Sequence, residues 1–287
     1  MKRYIIIVIA LFLLITNVAN GQAYIGKQED SLWVVKLLNS AKSLDKNENV
    51  PLYFARKFIG KPYVAHTLEV GNDRQIVVNT RQLDCTTLVE NVTALTLCVY
   101  QKKYSFDNFL SNLIRMRYHD GMMKGYTYRL HYFTEWILES AKKGIAFEHQ
   151  TPNPPYSALQ TIRVGYMSAH PNAYSALKAH PEYVSQIRKN EQAINGKQFR
   201  YIPKNKIRNT KLLRRAIHDG DIIAITCNKQ GLDIAHLGFA VWHNDGLHLL
   251  NASMIHKKVV EEPMILYQYL QKHPSHTGIR VLHISKP

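Results

Sequence analysis

Cysteine is scarce in this 287-residue chain, which has only Cys85, Cys98 and Cys227. Their spacing fits no compact zinc pattern, and an odd count leaves at least one thiol free or shared between chains. Cys98 and Cys227 could pair with each other. Acidic residues are also few, 21 against 37 Lys and Arg, so the formal charge is +16. A surface of that sign favours anionic partners: nucleic acid, an anionic membrane face or an anionic polymer. No basic run is long enough for a nucleic-acid arm, and no nucleic-acid-binding motif occurs, so nucleic acid is not the expected partner. The fourteen histidines include no His-Glu-x-x-His or comparable ligand run. His119 with His131, or His243 with His248, are the pairs that could approach one another, and no metal is expected. Repeats and low-complexity segments are missing. No apolar run reaches the ~20 residues of a comfortable membrane span.

What is present is the composition of a globular protein with a buried core, 46% apolar and 10% aromatic. Lys2 and Arg3 precede an apolar run from Tyr4 to Ile15, followed by Asn17-Val-Ala-Asn-Gly21. This is the layout of a secretory signal over residues 1–21, with Ala19 and Gly21 at the small-residue positions before cleavage. The run would serve either as a removed leader or as a short anchor. The expectation is an exported, periplasmic protein with one domain over 22–287.

Helical periodicity marks Ser31 to Ser43, then Pro51 to Phe58 with its proline at the start. Gly60-Lys-Pro-Tyr63 is a turn, and Gly71-Asn-Asp a hairpin tip. A longer helix follows Asp84, its N-cap, with Leu88, Val89, Val92, Leu95 and Val99 at helical spacing. From about 101 to 205 the pattern is mostly helical with loops. Ser105 caps one helix, His131 to Lys143 forms another, and Ala173 to Ile194 is broken at Pro181. The last third reads as strands: Asp221 to Cys227, Ala235 to Trp242, Leu247 to Ala252 and Ile279 to Ile284, with turn chemistry at Asn244-Asp-Gly246. Helices first and an antiparallel sheet later predict an α+β fold.

Cys85 directly follows the N-cap of the long helix. Free N–H groups and the dipole at a helix start lower a thiol pKa and can hold an oxyanion. Positions 85, 89, 92 and 96 share a face, which turns Cys85 toward the interior. A thiolate needs a base, and His236 opens a strand two residues before Gly238. The imidazole in turn needs an acceptor for its other nitrogen. Asn251 is the candidate. A two- or four-residue hairpin loop pairs positions of odd sum and puts His236 and Asn251 on one face, whereas a three-residue loop separates them.

In order, the chain carries Gly60-Lys-Pro-Tyr63, Asp84-Cys-Thr-Thr-Leu-Val-Glu90, Gly220-Asp-Ile-Ile-Ala224, His236-Leu-Gly238 and Asn251-Ala-Ser253. The series resembles the papain-like NlpC/P60 family of cell-wall hydrolases. More narrowly it resembles the subfamily labelled DUF1460, through Pro62 to Glu69 and through Arg117-Tyr-His-Asp-Gly121 and Tyr128-Arg-Leu-His-Tyr132 in the insertion. The resemblance implies a papain-like core, Cys85 as nucleophile and His236 as base. Asn251 stands where the family often has histidine. It further implies N-acetylmuramoyl-L-alanine amidase activity on small muramoyl or anhydromuramoyl peptidoglycan fragments, without a cofactor. A γ-D-glutamyl–diamino acid endopeptidase of the same fold is the alternative, and a non-catalytic wall-binding module a third reading. Tyr63 is expected near the oxyanion and Asp84 near the site. Arg117, Tyr128 and Arg129 are candidate substrate contacts, because arginine pairs with carboxylates and aromatic faces take sugars.

Overall fold

The computed structural model describes residues 24–70 and 75–286. The leader over 1–21 and the Gly71-Asn-Asp tip lie outside the described residues. The chain opens with β1 (Tyr24–Ile25), α1 (Gln28–Ser40), α2 (Val50–Lys57) and β2 (Ile76–Val77), then the central helix α3 (Cys85–Tyr100) and α4 (Phe106–Arg117). The insertion contributes α5 (Phe133–Lys142), β3 (Ala146–Glu148), β4 (Ala158–Thr161), α6 (Tyr166–Ala169), α7 (Ser175–Ala179), α8 (Tyr183–Ile194) and β5 (Gln198–Pro203). After α9 (Lys211–Ala216) come β6 (Ile222–Cys227), β7 (Ile234–Trp242), β8 (Leu247–Ser253), β9 (Lys258–Glu261), α10 (Leu266–Gln271) and β10 (His276–Ile284).

Local chemistry explains the starts of the early helices. Asn49 Oδ1 accepts from Leu52 N–H at 2.9 Å, and Pro51 sits in the first turn of α2. Ser105 Oγ caps α4 through Asn108 N–H at 3.2 Å. The strands build an antiparallel sheet in the order β4-β5-β10-β6-β7-β8-β9. β5 and β3 take successive halves of β10. The insertion, read from sequence as mostly helical with loops, also contributes three strands, β3, β4 and β5, that extend the sheet.

Each face of the sheet carries its own core. On one, Leu88, Val92 and Leu95 of the almost wholly buried α3 pack on Leu237, Phe239, Leu250 and Ala252. On the other, Leu213 of α9 and Leu266 and Leu270 of α10 cover Ile223, Ala240 and Leu249. The insertion has a third, smaller core around Tyr126, Ile162, Met167 and Ile187. Among the described residues no helix is long and apolar enough to cross a membrane.

Candidate active site

Cys85 is the first residue of α3. Asp84 Oδ1 accepts from Thr87 N–H at 2.7 Å, and Thr87 Oγ1 accepts from Asp84 N–H at 2.9 Å. This reciprocal cap fixes the helix start and with it the thiol. Leu237 on β7 and Thr86 lie close enough to favour the thiolate. The thiol is nevertheless pushed up to about 12, by burial first and by the Asp84 carboxylate second. The expectation of a lowered thiol pKa is corrected here. Desolvation of the anion and a neighbouring negative charge outweigh the helix terminus and its hydrogen bonds.

The base is set by the β7–β8 hairpin. Its connection, 243–246, has four residues, and the register pairs Val241 with His248 and Phe239 with Leu250. Carried one step further, it sets Asn251 opposite Gly238, diagonal to His236. His236 Nε2 lies 2.9 Å from Asn251 Oδ1. The amide is oriented by its own Nδ2, which donates to Leu249 O at 3.2 Å. Oδ1 therefore accepts, Nε2–H donates, and Nδ1 is left as the basic nitrogen. Burial lowers the His236 pKa, with His273 adding to the effect, while Asn251, Asp84 and Glu262 oppose it. Burial therefore works against the charged form of both groups. Glycine at 238 is a packing requirement, since a Cβ there would lie 2.6 Å from Leu250 O.

Tyr63 is half-buried beside this pair. Its phenol pKa is raised by burial, then by the nearby Cys85 and Asp84. Its N–H donates to Lys257 O at 2.9 Å, and Gly60 N–H to Val259 O at 2.8 Å, so the Gly60–Tyr63 turn is stitched to β9 and the turn before it.

A cleft of about 200 Å³ opens at Cys85, Thr86 and His236. Arg129 lines it, ion-paired with Glu69 and with its guanidinium 4.8 Å from the centre of the Tyr126 ring. Arg117 does not reach the cleft. It is buried, its Nη2 2.7 Å from Glu90 and its Nη1 donating to Val77 O at 2.8 Å. It pairs a buried carboxylate, so its reading as a substrate contact is withdrawn. Tyr128 is also outside the cleft lining, packed on the α3-side core with Lys124 over its ring at 5.1 Å.

Glu69, His66, Tyr174 and Asp233, given no role from sequence, line the cleft, as does His131, which was considered only as a partner of His119. His131 Nε2–H donates to Tyr126 O at 2.9 Å, and burial next to Arg129 drives its pKa down to about 3. Asp233 takes a hydrogen bond from Thr134 N–H at 2.6 Å, which anchors the start of α5. None of these stands in a periodic pattern that would have singled it out.

Cys98 and Cys227 are buried and free, so they do not pair. His243 and His248 do meet, ring centres 4.6 Å apart, but each is engaged by a carboxylate, Glu261 and Asp245 respectively. Among the described residues no three His, Cys, Asp or Glu side chains gather as a metal would require.

The family model of N-acetylmuramoyl-L-alanine amidase-like (AmiA-like) proteins matches residues 53–279. The chain belongs to that family. An N-acetylmuramoyl-L-alanine amidase from Bacteroides uniformis is similar in structure, with 40% identity and a TM-score of 0.76 over 83% of this chain and 98% of that one. So is a Bacteroides fragilis protein provisionally named a xylanase, with 40% identity and a TM-score of 0.75 over 81% and 100%. A DUF1460 protein of Legionella pneumophila, at 22% identity and a TM-score of 0.70 over 90% and 95%, shares the fold. Among curated proteins none matches. In this amidase-like family member the matched region contains Cys85, His236 and Asn251 alike.

Proposed function

We propose that this family member is a cell-wall amidase that hydrolyses the amide between N-acetylmuramic or anhydromuramic acid and L-alanine in small peptidoglycan fragments. The observation that carries the mechanism is the His236–Asn251 hydrogen bond, which leaves Nδ1 as the base for a thiol at a helix start. Cys85 S–H gives its proton to Nδ1 as sulfur attacks the lactyl carbonyl. Transfer accompanies attack, so that no unpaired thiolate is formed in the buried cleft. N–H groups at the start of α3, with Tyr63 beside them, face the developing oxyanion. The C–N bond breaks, the amine of L-alanine takes the proton from His236, and a thioester remains. Water, deprotonated by His236, then releases the acid and restores the thiol.

Membership of the amidase-like family and the name of the Bacteroides uniformis relative support the amide bond. The narrow cleft, walled by insertion residues Tyr126, Arg129 and Tyr174, supports fragments over intact polymer. We read the α3-and-sheet core as papain-like, of the NlpC/P60 type, with asparagine in the orienting position. We read residues 1–21 as a signal that exports the enzyme to the periplasm, which periplasmic protein beginning at Gln22 would support and full-length cytoplasmic protein would contradict.

The test is mass spectrometry of muropeptide fragments after incubation with wild type and Cys85→Ser. Free peptide beginning at L-alanine is expected with wild type, falling more than about 10³-fold in the variant. A cut within the stem peptide would move the substrate bond to the endopeptidase reading. Substantial turnover by Cys85→Ser would end the nucleophile assignment.

A further inference from the structure

The insertion sends one extended segment along the catalytic cleft. Leu130 N–H donates to Arg117 O at 2.9 Å, and Arg129 pairs with Tyr118 as an isolated β-bridge, which anchors the segment. Side chains alternate along extended backbone. Leu130 accordingly packs on the α3-side core, while Arg129 and His131 on either side of it line the cleft that holds Cys85 and His236.

Both side chains are held in place. They lie against the Tyr126 ring, the guanidinium 4.8 Å and the imidazole 4.5 Å from its centre. His131 Nε2 is 2.9 Å from Tyr126 O, and a carbonyl only accepts, so Nε2 carries the proton. Nδ1 is then a bare acceptor. It has no hydrogen-bond partner among the described residues and keeps some exposure. The low pKa of this ring, about 3, leaves Nδ1 unprotonated near neutrality. Arg129 is its complement. Glu69 takes the charge and Leu68 O accepts from Nη1 at 3.4 Å, but a guanidinium has five N–H groups, so donors remain. With Glu69 and Asp233 both in the lining, the cleft has no surplus positive charge for a carboxylate. It offers a donor and, two residues on, an acceptor. A secondary amide presents the converse, a C=O that accepts and an N–H that donates.

We propose that Arg129 and His131 together read a secondary amide of the substrate beside the scissile bond, its C=O facing Arg129 and its N–H donating to His131 Nδ1. The inference rests on the amidase reading above and deepens it. Such a substrate carries a secondary amide on each side of the bond that breaks. On the acyl side it is the 2-acetamido group of muramic acid, and on the amine side the peptide bond after L-alanine.

The test replaces N–H by oxygen at one amide at a time in N-acetylmuramoyl-L-alanyl-D-glutamate. One analogue carries 2-acetoxy in place of 2-acetamido. The other carries an ester of 2-hydroxyglutarate in place of the alanyl-glutamate peptide bond. Each keeps the C=O and loses the N–H. Wild type should lose about tenfold in kcat/KM with one of the two, and that one names the amide that is read. In His131→Phe the same replacement should make little difference. No loss by wild type with either analogue, or an undiminished loss in His131→Phe, overturns the assignment. A second readout needs neither turnover nor that variant. N-acetylmuramic acid and L-alanyl-D-glutamate are titrated into Cys85→Ala while the nitrogen-15 signal of His131 Nδ1 is followed by NMR. A shift with either ligand sustains the contact, and none with both overturns it. If wild type cleaves no substrate at all, the amidase reading falls, and this titration decides the contact by itself.

Discussion

Asp84 does two opposed things to its neighbour. Its carboxylate caps α3 and so fixes where Cys85 stands, while its charge raises the thiol pKa. The two effects separate in Asp84→Asn, because asparagine caps as well as aspartate without the charge. The helix should persist, and the midpoint of thiol alkylation against pH should move down from about 12. The measurement is the rate of iodoacetamide labelling from pH 6 to 12 in a Cys98→Ala, Cys227→Ala background. A midpoint that does not move would leave burial as the sole cause. The N-cap at Asp84 was legible at the sequence level, because a cap depends on the residues that adjoin it. The thiol pKa was not, because burial is a property of the assembled cleft.

At the level of elements, the Glu90–Arg117 pair joins α3 to α4, and Arg117 also holds β2 through Val77 O. Burial raises the Glu90 pKa and Arg117 lowers it again, so the carboxylate depends on its partner. Truncating one member leaves an uncompensated buried charge. Arg117→Met should destabilise the fold by about 3–5 kcal/mol, and Glu90→Leu added to it should recover most of that loss. Urea unfolding of the single and the double variant beside wild type checks this. A single substitution that is silent would mean the pair is solvated. The clue missed in the sequence was Glu90 itself, since an acid in the middle of an otherwise buried helix requires a cation from elsewhere.

For the whole molecule, histidines held neutral by burial set the acid limit. His131, beside Arg129, is driven to about 3, and His276, stacked 4.7 Å from His273, to about 4. In the unfolded chain both titrate near ~6.5. Between ~6.5 and the folded values the unfolded chain binds more protons, so stability falls as pH falls through that window. Tm should therefore decline from pH 7 to 4.5, and the decline should be shallower in His131→Gln, whose amide can still donate to Tyr126 O. Equal slopes by calorimetry would show that His131 is protonated in the folded protein.

Sequence alone determined whatever depends on neighbours along the chain. Caps at Asp84 and Ser105 placed helix starts, and alternation placed β6 to β8 and the end of β10, while the length of the β7–β8 turn, and with it the parity that brings His236 and Asn251 together, was left to the fold. Tertiary structure alone decided what depends on distant partners. β3, β4 and β9 have three or four residues each, too few to show a period, and become strands because neighbouring strands offer them hydrogen bonds. Arg117 and Arg129 lie close together in sequence, yet one pairs with buried Glu90 and the other with Glu69 at the cleft. Pairing, burial and the face a strand shows to a helix are set by contacts across the fold, and those contacts separate a structural arginine from one in the site.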